Sequence, residues 1–318
     1  RNGKRTALLL RGGALRGDGL IAAGRIAAAT GAALFCDTFA PRLERGAGRV
    51  VVERLPYFAE QLVETLAPFE QLVLVGSTPP VAFFAYPGKP SWCSPEGAEI
   101  LHLAQPHEDG VAALAEVADA IGGDGTGVVA PLQVPDHPSG RFDQFTIGQV
   151  IARLMPEGAI VSDEAATSGL GSANALATAA PHDVLSLTGG AIGQGLPLAA
   201  GASVACPDRK VVCLHGDGGA MYTVQALWTM AREQLDVTTV IFANRSYGIL
   251  NIELQRVGAD AGPQALSMLD IGNPDLDWVS LAQGMGVEAV RVDAIDAFRD
   301  AFASAMSQSG PRLIEAVL

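Results

Sequence analysis

The sequence is poor in positive charge and contains no long apolar run. Lys and Arg number 21 against 34 Asp and Glu, so the 318 residues carry a formal net charge of −13 with His neutral. A surface this acidic repels phosphate backbones and anionic lipid, which argues against a protein that binds nucleic acid or membranes. No uninterrupted apolar run approaches the roughly 20 residues that a membrane-spanning helix needs.

Cysteines are also scarce. The four cysteines form no CxxC pair and lie mostly in apolar runs, a spacing typical of reduced core residues rather than of a disulfide framework. The segment Arg1–Thr6 and the short apolar run behind it do not have the form of a sorting signal. We therefore expect a cytoplasmic protein.

Hydrophobic residues make up 49% of the chain, which excludes intrinsic disorder, while aromatic residues make up only 6%. Short apolar runs alternate with stretches of helical periodicity, and strands separated by helices imply parallel βαβ units. The pattern predicts an α/β protein with two doubly wound parallel-sheet domains, at residues 1–122 and 143–318. A segment rich in Gly and Pro, residues 123–142, is predicted to link them.

The individual elements follow from the same periodicities. Five helices are predicted, at Gly19–Thr30, Tyr57–Leu66, Val111–Ile121, Thr146–Leu154 and Met221–Glu233. Ten strands are predicted, at Thr6–Leu10, Ala32–Cys36, Gln71–Val75, Ile100–Ala104, Ala159–Ser162, Val184–Leu187, Val211–Leu214, Val237–Phe242, Val287–Val292 and Arg312–Val317.

Two neighbouring strands in the second half each end in a polar residue. The first runs into Gly216-Asp217-Gly218-Gly219, and the second is closed by Asn244. Parallel strands bring such residues to one edge of the sheet, where α/β folds place ligands. Carboxylate and amide oxygens suit Mg²⁺, and the glycines let main-chain N–H groups approach phosphate oxygens. The alternative is a tight turn with Asp217 capping a helix.

The GDG turn and Asn244, separated by 25 residues, resemble the cofactor motif of thiamine diphosphate (ThDP)-dependent enzymes. The resemblance implies that Asp217, Asn244 and the main-chain carbonyl of Ser246 bind Mg²⁺. It also implies that ThDP contacts the glycines and the residues that follow the motif, namely Gly216, Gly218, Gly219, Tyr247 and Gly248.

Two further segments resemble the same family in the same order. Thr167 lies in a stretch where relatives place hydroxyls near the diphosphate, although a helix cap explains it equally well. The loop Gly189–Pro197 resembles the one that holds the cofactor bent, with Ile192 under it, next to Ala191, and with the Gly190 carbonyl facing the aminopyrimidine. The alternative for Ile192 is a core position.

The family resemblance narrows the range of possible reactions. Six residues after Asn244, where pyruvate decarboxylase-type enzymes carry a catalytic Glu, this sequence has Leu250. An apolar residue there resembles benzoylformate decarboxylase and acetolactate synthase, so Ile249 and Leu250 are expected to line a pocket for a 2-oxo acid. Both could instead be core residues that open a helix. His215, before the GDG turn, is either an acid/base near the site or a structural histidine.

The resemblance implies a ThDP- and Mg²⁺-dependent decarboxylase or carboligase. Residues 1–122 resemble the family's middle domain and residues 143–318 its diphosphate domain, while the domain with the activating Glu has no counterpart. We therefore expect a C-terminal fragment that is inactive alone and would form a homodimer or homotetramer through the ThDP site.

Other functions remain open on the sequence. The chain could be a catalytically silent ThDP- or nucleotide-binding subunit. The glycine spacings do not fit a dinucleotide motif, so an NAD-dependent dehydrogenase is a weaker alternative. Acetolactate synthases bind FAD in the middle domain, but only Arg11-Gly12-Gly13, which a plain turn also explains, could approach a phosphate here.

Overall fold

The computed structural model describes residues 2–259 and 261–318, which form two compact units. The first unit comprises residues up to Glu44 together with Gly48–Ala130, and the second comprises Arg45–Ala47 and Pro131–Leu318. The division at Ala130 lies inside the segment predicted as a linker. The assignment of the units as a middle domain and a diphosphate domain stays a prediction.

The first unit is built on a five-stranded parallel sheet of order β4-β2-β1-β5-β6. Leu8 and Leu10 of its central strand point into one apolar core and Ala7 and Leu9 into another, as the alternation of a strand requires. Its elements are β1 Thr6–Leu10, α1 Gly17–Thr30, β2 Ala33–Cys36, β4 Glu53–Arg54, α2 Ala59–Leu66, β5 Gln71–Val75, β6 Glu99–Ala104 and α3 Gly110–Ala120.

The second unit contains a seven-stranded sheet of order β11-β12-β10-β9-β7-β8-β3. Its strands are β7 Ile160–Glu164, β8 His182–Ser186, β9 Val211–Gly216, β10 Val237–Ala243, β11 Glu288–Val292 and β12 Arg312–Val317, and the edge strand β3 Leu43–Arg45 belongs to this unit only at Arg45. The pairings among β7 to β12 are parallel. The fold class, α/β with parallel sheets, is confirmed.

Helices cover both faces of this sheet. On the central strand β9, Val212 and Leu214 face one core and Val211 and Cys213 face the other. One face carries α4 Gln144–Leu154, α5 Leu170–Leu176 and α12 Ile295–Ser307, and the other carries α6 Gly195–Ala205, α8 Ala226–Arg232 and α11 Trp278–Gly284. Three short helices are α7 Asp217–Ala220, α9 Gly248–Arg256 and α10 Pro263–Ser267.

The predicted helix Met221–Glu233 is wrong as a single element. The chain forms α7 directly after the GDG turn begins, passes through a 3₁₀ turn at Met221–Thr223, and becomes helical again in α8. The helical conformation therefore starts at Asp217, four residues earlier than the apolar periodicity suggests. None of the four cysteines, all of which the structure describes, forms a disulfide bond. Across the described helices, none is long and apolar enough to cross a membrane.

Candidate functional site

The two polar strand ends meet at one edge of the second sheet, as the sequence predicts. Strand β9 ends at Gly216 and strand β10 at Ala243, and the pairing of the two parallel strands sets Gly216 opposite Phe242. Asp217 and Asn244 therefore follow adjacent strands on the carboxyl side of the sheet. This is the edge at which ligands bind in open α/β sheets.

Asp217 is a buried carboxylate, only 4% exposed. Its Oδ1 accepts a hydrogen bond from the Gly218 N–H at 2.8 Å, and its Oδ2 accepts one from the Arg245 N–H at 2.7 Å. Burial raises the pKa of Asp217, and these N–H groups offset part of that rise. Over residues 2–259 and 261–318, no Lys, Arg or His nitrogen lies within 4.0 Å of the carboxylate.

A buried acid without a cationic side chain beside it is costly unless a cation binds there. Each oxygen of Asp217 keeps a lone pair beyond its hydrogen bond, so the carboxylate can still act as a ligand. Its burial and unpaired charge fit a divalent ion. The described residues contain no cluster of three or more His, Cys, Asp or Glu side chains that could hold a metal, so such an ion would also need amide and main-chain oxygens.

Asn244 and the residues after it supply oxygens of that kind. The Asn244 Oδ1 accepts a hydrogen bond from the Ser246 N–H at 3.0 Å, which folds the segment into a turn. Ser246 also forms an antiparallel bridge with Asp270, and the Tyr247 N–H donates to the Leu269 carbonyl at 2.9 Å. The main chain around Ser246 is therefore fixed, although the metal role of these three residues stays a prediction.

The predicted ThDP contacts lie around the same turn. A Cβ on Gly218 would lie 2.5 Å from the Tyr247 ring, so the absence of a side chain lets this ring pack against the GDG turn. A Cβ on Gly248 would lie 3.2 Å from the Thr167 hydroxyl. Gly216 is more open, with its nearest neighbours at 3.9 Å. The structure thus brings Thr167 to the start of α9, beside the predicted metal ligands.

The loop Gly189–Gly195, here called the glycine loop, lies between β8 and α6. Gly189, Gly190 and Gly193 have positive φ of 62°, 67° and 91°, which explains the choice of glycine. Ile192 is 47% exposed, so it is not a core residue. Ala191 is exposed as well, and the Gly190 carbonyl accepts a hydrogen bond from the Ile192 N–H at 3.0 Å.

The two residues predicted to line a substrate pocket begin helix α9. Ile249 is half-buried and Leu250 is 46% exposed, and none of the residues of this helix is buried. The alternative of core residues that open a helix is therefore wrong. Both side chains are apolar groups open to contact from outside the sheet, three and four residues beyond Ser246.

The sequence reasoning missed one acidic residue next to the site. Glu164, the last residue of β7, is buried beside His215, and its carboxylate contacts the glycine loop. The available signal was the pair of acidic residues Asp163 and Glu164 at the end of a mostly buried strand. His215 is fully buried, which favours a structural role over acid/base chemistry.

The glycine turn of the first unit has a different character. Arg11 forms an ion pair with Asp37 at 3.3 Å, and a Cβ on Gly13 would lie 2.9 Å from Val111. Burial raises the pKa of Asp37, and the Arg11 guanidinium opposes that rise. The Arg11 side chain thus already has an acidic partner, and FAD binding here stays an alternative that the sequence leaves open.

Comparison with known proteins identifies the region that contains this geometry. Residues 165–316 match the family model "Thiamine pyrophosphate enzyme, C-terminal TPP binding domain", thiamine pyrophosphate being another name for ThDP. This region is similar to the C-terminal TPP-binding domain of thiamine pyrophosphate enzymes. The resemblance inferred from the GDG turn and Asn244 is confirmed, and Asp217, Asn244 and Ser246 all lie within this TPP-binding domain.

Relatives extend the similarity beyond this domain. The chain is 50% identical, over its whole length, to "Putative acetolactate synthase large subunit IlvX" of Mycobacterium tuberculosis. It is 28% identical over 80% of its length to benzoylformate decarboxylase of Pseudomonas aeruginosa. Among solved structures, the ThDP-dependent 4-hydroxybenzoylformate decarboxylase of Rhodococcus jostii RHA1 superimposes with a TM-score of 0.80 at 25% identity over 98% of the chain.

The chain is shorter than the proteins that it matches. It spans 62% of the Mycobacterium protein, 49% of the Pseudomonas protein and 61% of the Rhodococcus chain. The similarity therefore covers only a part of the length of each relative.

Proposed function

We propose that the chain is the ThDP- and Mg²⁺-binding part of an enzyme that decarboxylates a 2-oxo acid or joins the resulting fragment to a second carbonyl. One observation carries the proposal. Within the TPP-binding domain, the buried and unpaired carboxylate of Asp217 lies at the same sheet edge as Asn244. A divalent cation would neutralise that charge and would at the same time bind the oxygens of a diphosphate group.

The chain's own residues would divide the work of binding. Asp217, the Asn244 amide oxygen and the Ser246 carbonyl would hold Mg²⁺, and the small residues Gly216, Gly218 and Gly219 would let main chain lie close to the diphosphate. When bound, ThDP supplies a carbon nucleophile and an electron sink.

The exposed side of the glycine loop would contact the organic part of the cofactor. Ile192, which presents its side chain outward, would pack against it, and the Gly190 carbonyl would accept a hydrogen bond from it. Thr167 and Tyr247 would add polar contacts, since both lie beside the turn that follows Asn244. Together these groups orient the cofactor.

The substrate class rests on the start of helix α9. Ile249 and Leu250 present apolar surface near the predicted metal ligands, and such surface favours an apolar or aromatic 2-oxo acid. Relatives named acetolactate synthase and benzoylformate decarboxylase support this class. Decarboxylation and carboligation share the same first steps, so both are retained.

The complete enzyme would need residues that this chain does not supply. The chain spans 62% of the Mycobacterium relative, so that relative contains residues without a counterpart in this chain. We infer that an activating Glu comes from another domain and that subunits pair through the ThDP site, in a cytoplasmic homodimer or homotetramer.

Calorimetric titration of ThDP into the 318-residue chain, with and without Mg²⁺, tests the proposal. We expect binding that requires Mg²⁺, and we expect Asp217→Ala to weaken it at least about a hundredfold because a charged metal ligand is lost. Asp236→Ala is the matched control. Asp236 pairs with Lys210 at the opposite end of the same two strands, so its loss should leave ThDP affinity unchanged.

Two outcomes would contradict the assignment of the site. The first is ThDP binding that is equally tight with and without Mg²⁺. The second is an Asp217→Ala variant that folds and binds ThDP as the unaltered chain does.

A further inference from the structure

Glu164 and His215 form a buried pair under the candidate site. The register of the parallel strands β7 and β9 sets the two residues side by side. His215 is fully buried, Glu164 is 6% exposed, and the His215 Nε2 lies 3.2 Å from the Glu164 Oε2. Burying two ionisable side chains costs desolvation free energy, so the pair needs further partners to be retained.

The glycine loop supplies those partners. The Gly193 N–H donates to Oε1 of Glu164 at 2.5 Å, and the Gly195 N–H donates to Oε2 at 2.6 Å. Burial by itself would raise the pKa of Glu164, but His215 and the two N–H groups bring it below its ordinary value. The carboxylate is therefore charged at neutral pH, and each oxygen accepts a main-chain hydrogen bond of the strong, charge-assisted kind.

Other side chains hold the same two residues of the loop from different sides. The Thr223 hydroxyl donates to the Gly193 carbonyl at 2.6 Å, and the Ser162 hydroxyl donates to the Gly195 carbonyl at 2.9 Å. The carboxyl-terminal half of the loop is thus tied to buried groups, whereas Gly190, Ala191 and Ile192 are exposed. Glu164 is the one charged side chain among these anchors.

The pair also lies against the GDG turn. A Cβ on Gly219 would lie 3.0 Å from His215 Cε1 and 3.2 Å from Glu164 Oε1, and a Cβ on Gly195 would lie 2.7 Å from His215 Cδ2. Glycine at both positions lets two backbone segments reach the same pair. One buried pair therefore joins the loop that carries Ile192 to the turn that carries Asp217.

We propose that Glu164 is a positioning residue, which fixes the glycine loop through its bonds to Gly193 and Gly195 so that Gly190 and Ile192 face the cofactor. The proposal rests on the proposed function of the site. His215 supports Glu164 from the neighbouring strand. Neither residue needs to contact the cofactor or the substrate, because both act on them through the loop and the turn.

The test compares Glu164→Gln with the unaltered chain. Glutamine keeps the size of the side chain but presents one oxygen and one NH₂ group, so one of the two loop N–H groups faces a donor. In the ligand-free protein we expect the Gly193 and Gly195 amides to exchange with solvent about ten- to a hundredfold faster. In the presence of Mg²⁺ we expect ThDP affinity to fall about tenfold or more.

Asp183→Asn is the matched control for the loss of a buried carboxylate. Asp183 lies on β8 and pairs with Arg209 at 2.7 Å, away from the glycine loop. In the Asp183→Asn variant we expect the exchange rates of the glycine loop and the ThDP affinity to equal those of the unaltered chain. A general loss of stability would instead accelerate exchange throughout β7 and β9, so the two explanations give different exchange patterns.

The outcomes separate this proposal from the proposed function. If the unaltered chain binds ThDP and Glu164→Gln binds it equally well, the positioning role is wrong. If the unaltered chain does not bind ThDP, the proposed function fails. The exchange rates alone then test whether Glu164 holds the Gly193 and Gly195 amides. Should Glu164→Gln not fold, the unaltered chain suffices: Gly193 and Gly195 should exchange at least about tenfold more slowly than Gly189 and Gly190, and equal rates overturn the proposal.

Discussion

Two residues at the candidate site have backbone conformations that their side chains disfavour. Ala166, next to Thr167, has φ of 47°, and Arg245, next to Asn244, has φ of 57°. The left-handed region costs a residue with a Cβ roughly 1 kcal/mol or more. Such conformations persist where the surrounding structure requires them, and they cluster at functional sites. For Arg245 the requirement is visible, because its N–H donates to Asp217.

Arg245→Gly separates the backbone requirement from the side chain. The left-handed conformation suits glycine, and the ion pair that is lost, with Asp275 at 3.3 Å, is half-exposed and worth little. We expect the free energy of unfolding to stay the same or rise by up to about 1 kcal/mol. ThDP affinity in Mg²⁺ should not change. Chemical denaturation and calorimetric titration measure the two quantities.

Arg245→Pro is the contrasting variant. Proline fixes φ near −65° and lacks the N–H that donates a hydrogen bond to Asp217 in the unaltered chain. This variant should therefore lose ThDP affinity. If Arg245→Gly lost ThDP affinity while remaining folded, the guanidinium itself would be part of the site, contrary to this account.

The residues of the site differ in how far the sequence reveals them. Asp217 and Asn244 are predictable because glycines and strand ends mark them locally, and strand direction then brings them together. The contact between Glu164 and His215 depends instead on the register between β7 and β9, two strands 51 positions apart at this point, and no local pattern encodes it. Ile192 was predictable as a site residue only through the family resemblance, since its exposure is a tertiary property.

At the scale of elements, helices α4 and α5 pack more closely than side chains would allow. A Cβ on Gly171 of α5 would lie 2.2 Å from the Gln144 carbonyl oxygen, and a Cβ on Gly148 of α4 would lie 2.7 Å from the backbone of Gly171. Two glycines facing each other thus set the distance between the helices. This packing supports the chain between β7 and α5, which contains Thr167.

Gly171→Ala should destabilise the second unit by about 2 kcal/mol or more, because the new methyl group meets rigid backbone and the helices must separate. Gly201→Ala is the matched control within α6, where a Cβ would meet nothing within 4 Å. That variant should be stabilising by about 0.5–1 kcal/mol, since alanine favours the helix. Denaturant unfolding measures both, and a stabilised Gly171→Ala would contradict the close approach.

The longer strands were predicted to within two residues because buried strands are continuous apolar runs bounded by polar or glycine residues. The short strands β3 and β4, with the sequences LER and ER, contain too little apolar sequence to be recognised and were missed. The helices that follow the strands of the second unit were harder to predict. Within α8, Trp228 and Met230 lie two residues apart and therefore on different sides of the helix. Met230 is buried and Trp228 is 53% exposed, with the Arg232 guanidinium 5.5 Å from its ring. Periodicity over so short a segment does not fix which side faces inward.

At the scale of the whole molecule, each unit has apolar cores on both faces of its own sheet. All of the candidate ThDP and Mg²⁺ residues, from Thr167 to Leu250, lie in the second unit. A ligand stabilises only what must be folded to bind it, by about 2.7 kcal/mol when its free concentration is a hundred times its dissociation constant. The stabilisation by bound ThDP and Mg²⁺ should therefore be confined to the second unit.

Hydrogen exchange of the ligand-free and ligand-bound chain measures that location. With ThDP and Mg²⁺ at saturating concentration, amides in β7, β9, β10 and the glycine loop should become about a hundredfold slower to exchange. Amides in the first unit, such as those of α1, should keep their rates. Asp217→Ala, given the same ligands, should show no protection in either unit. Equal protection of α1 and β9 would mean that the two units unfold as one, and it would overturn this assignment of the stabilisation to the second unit alone.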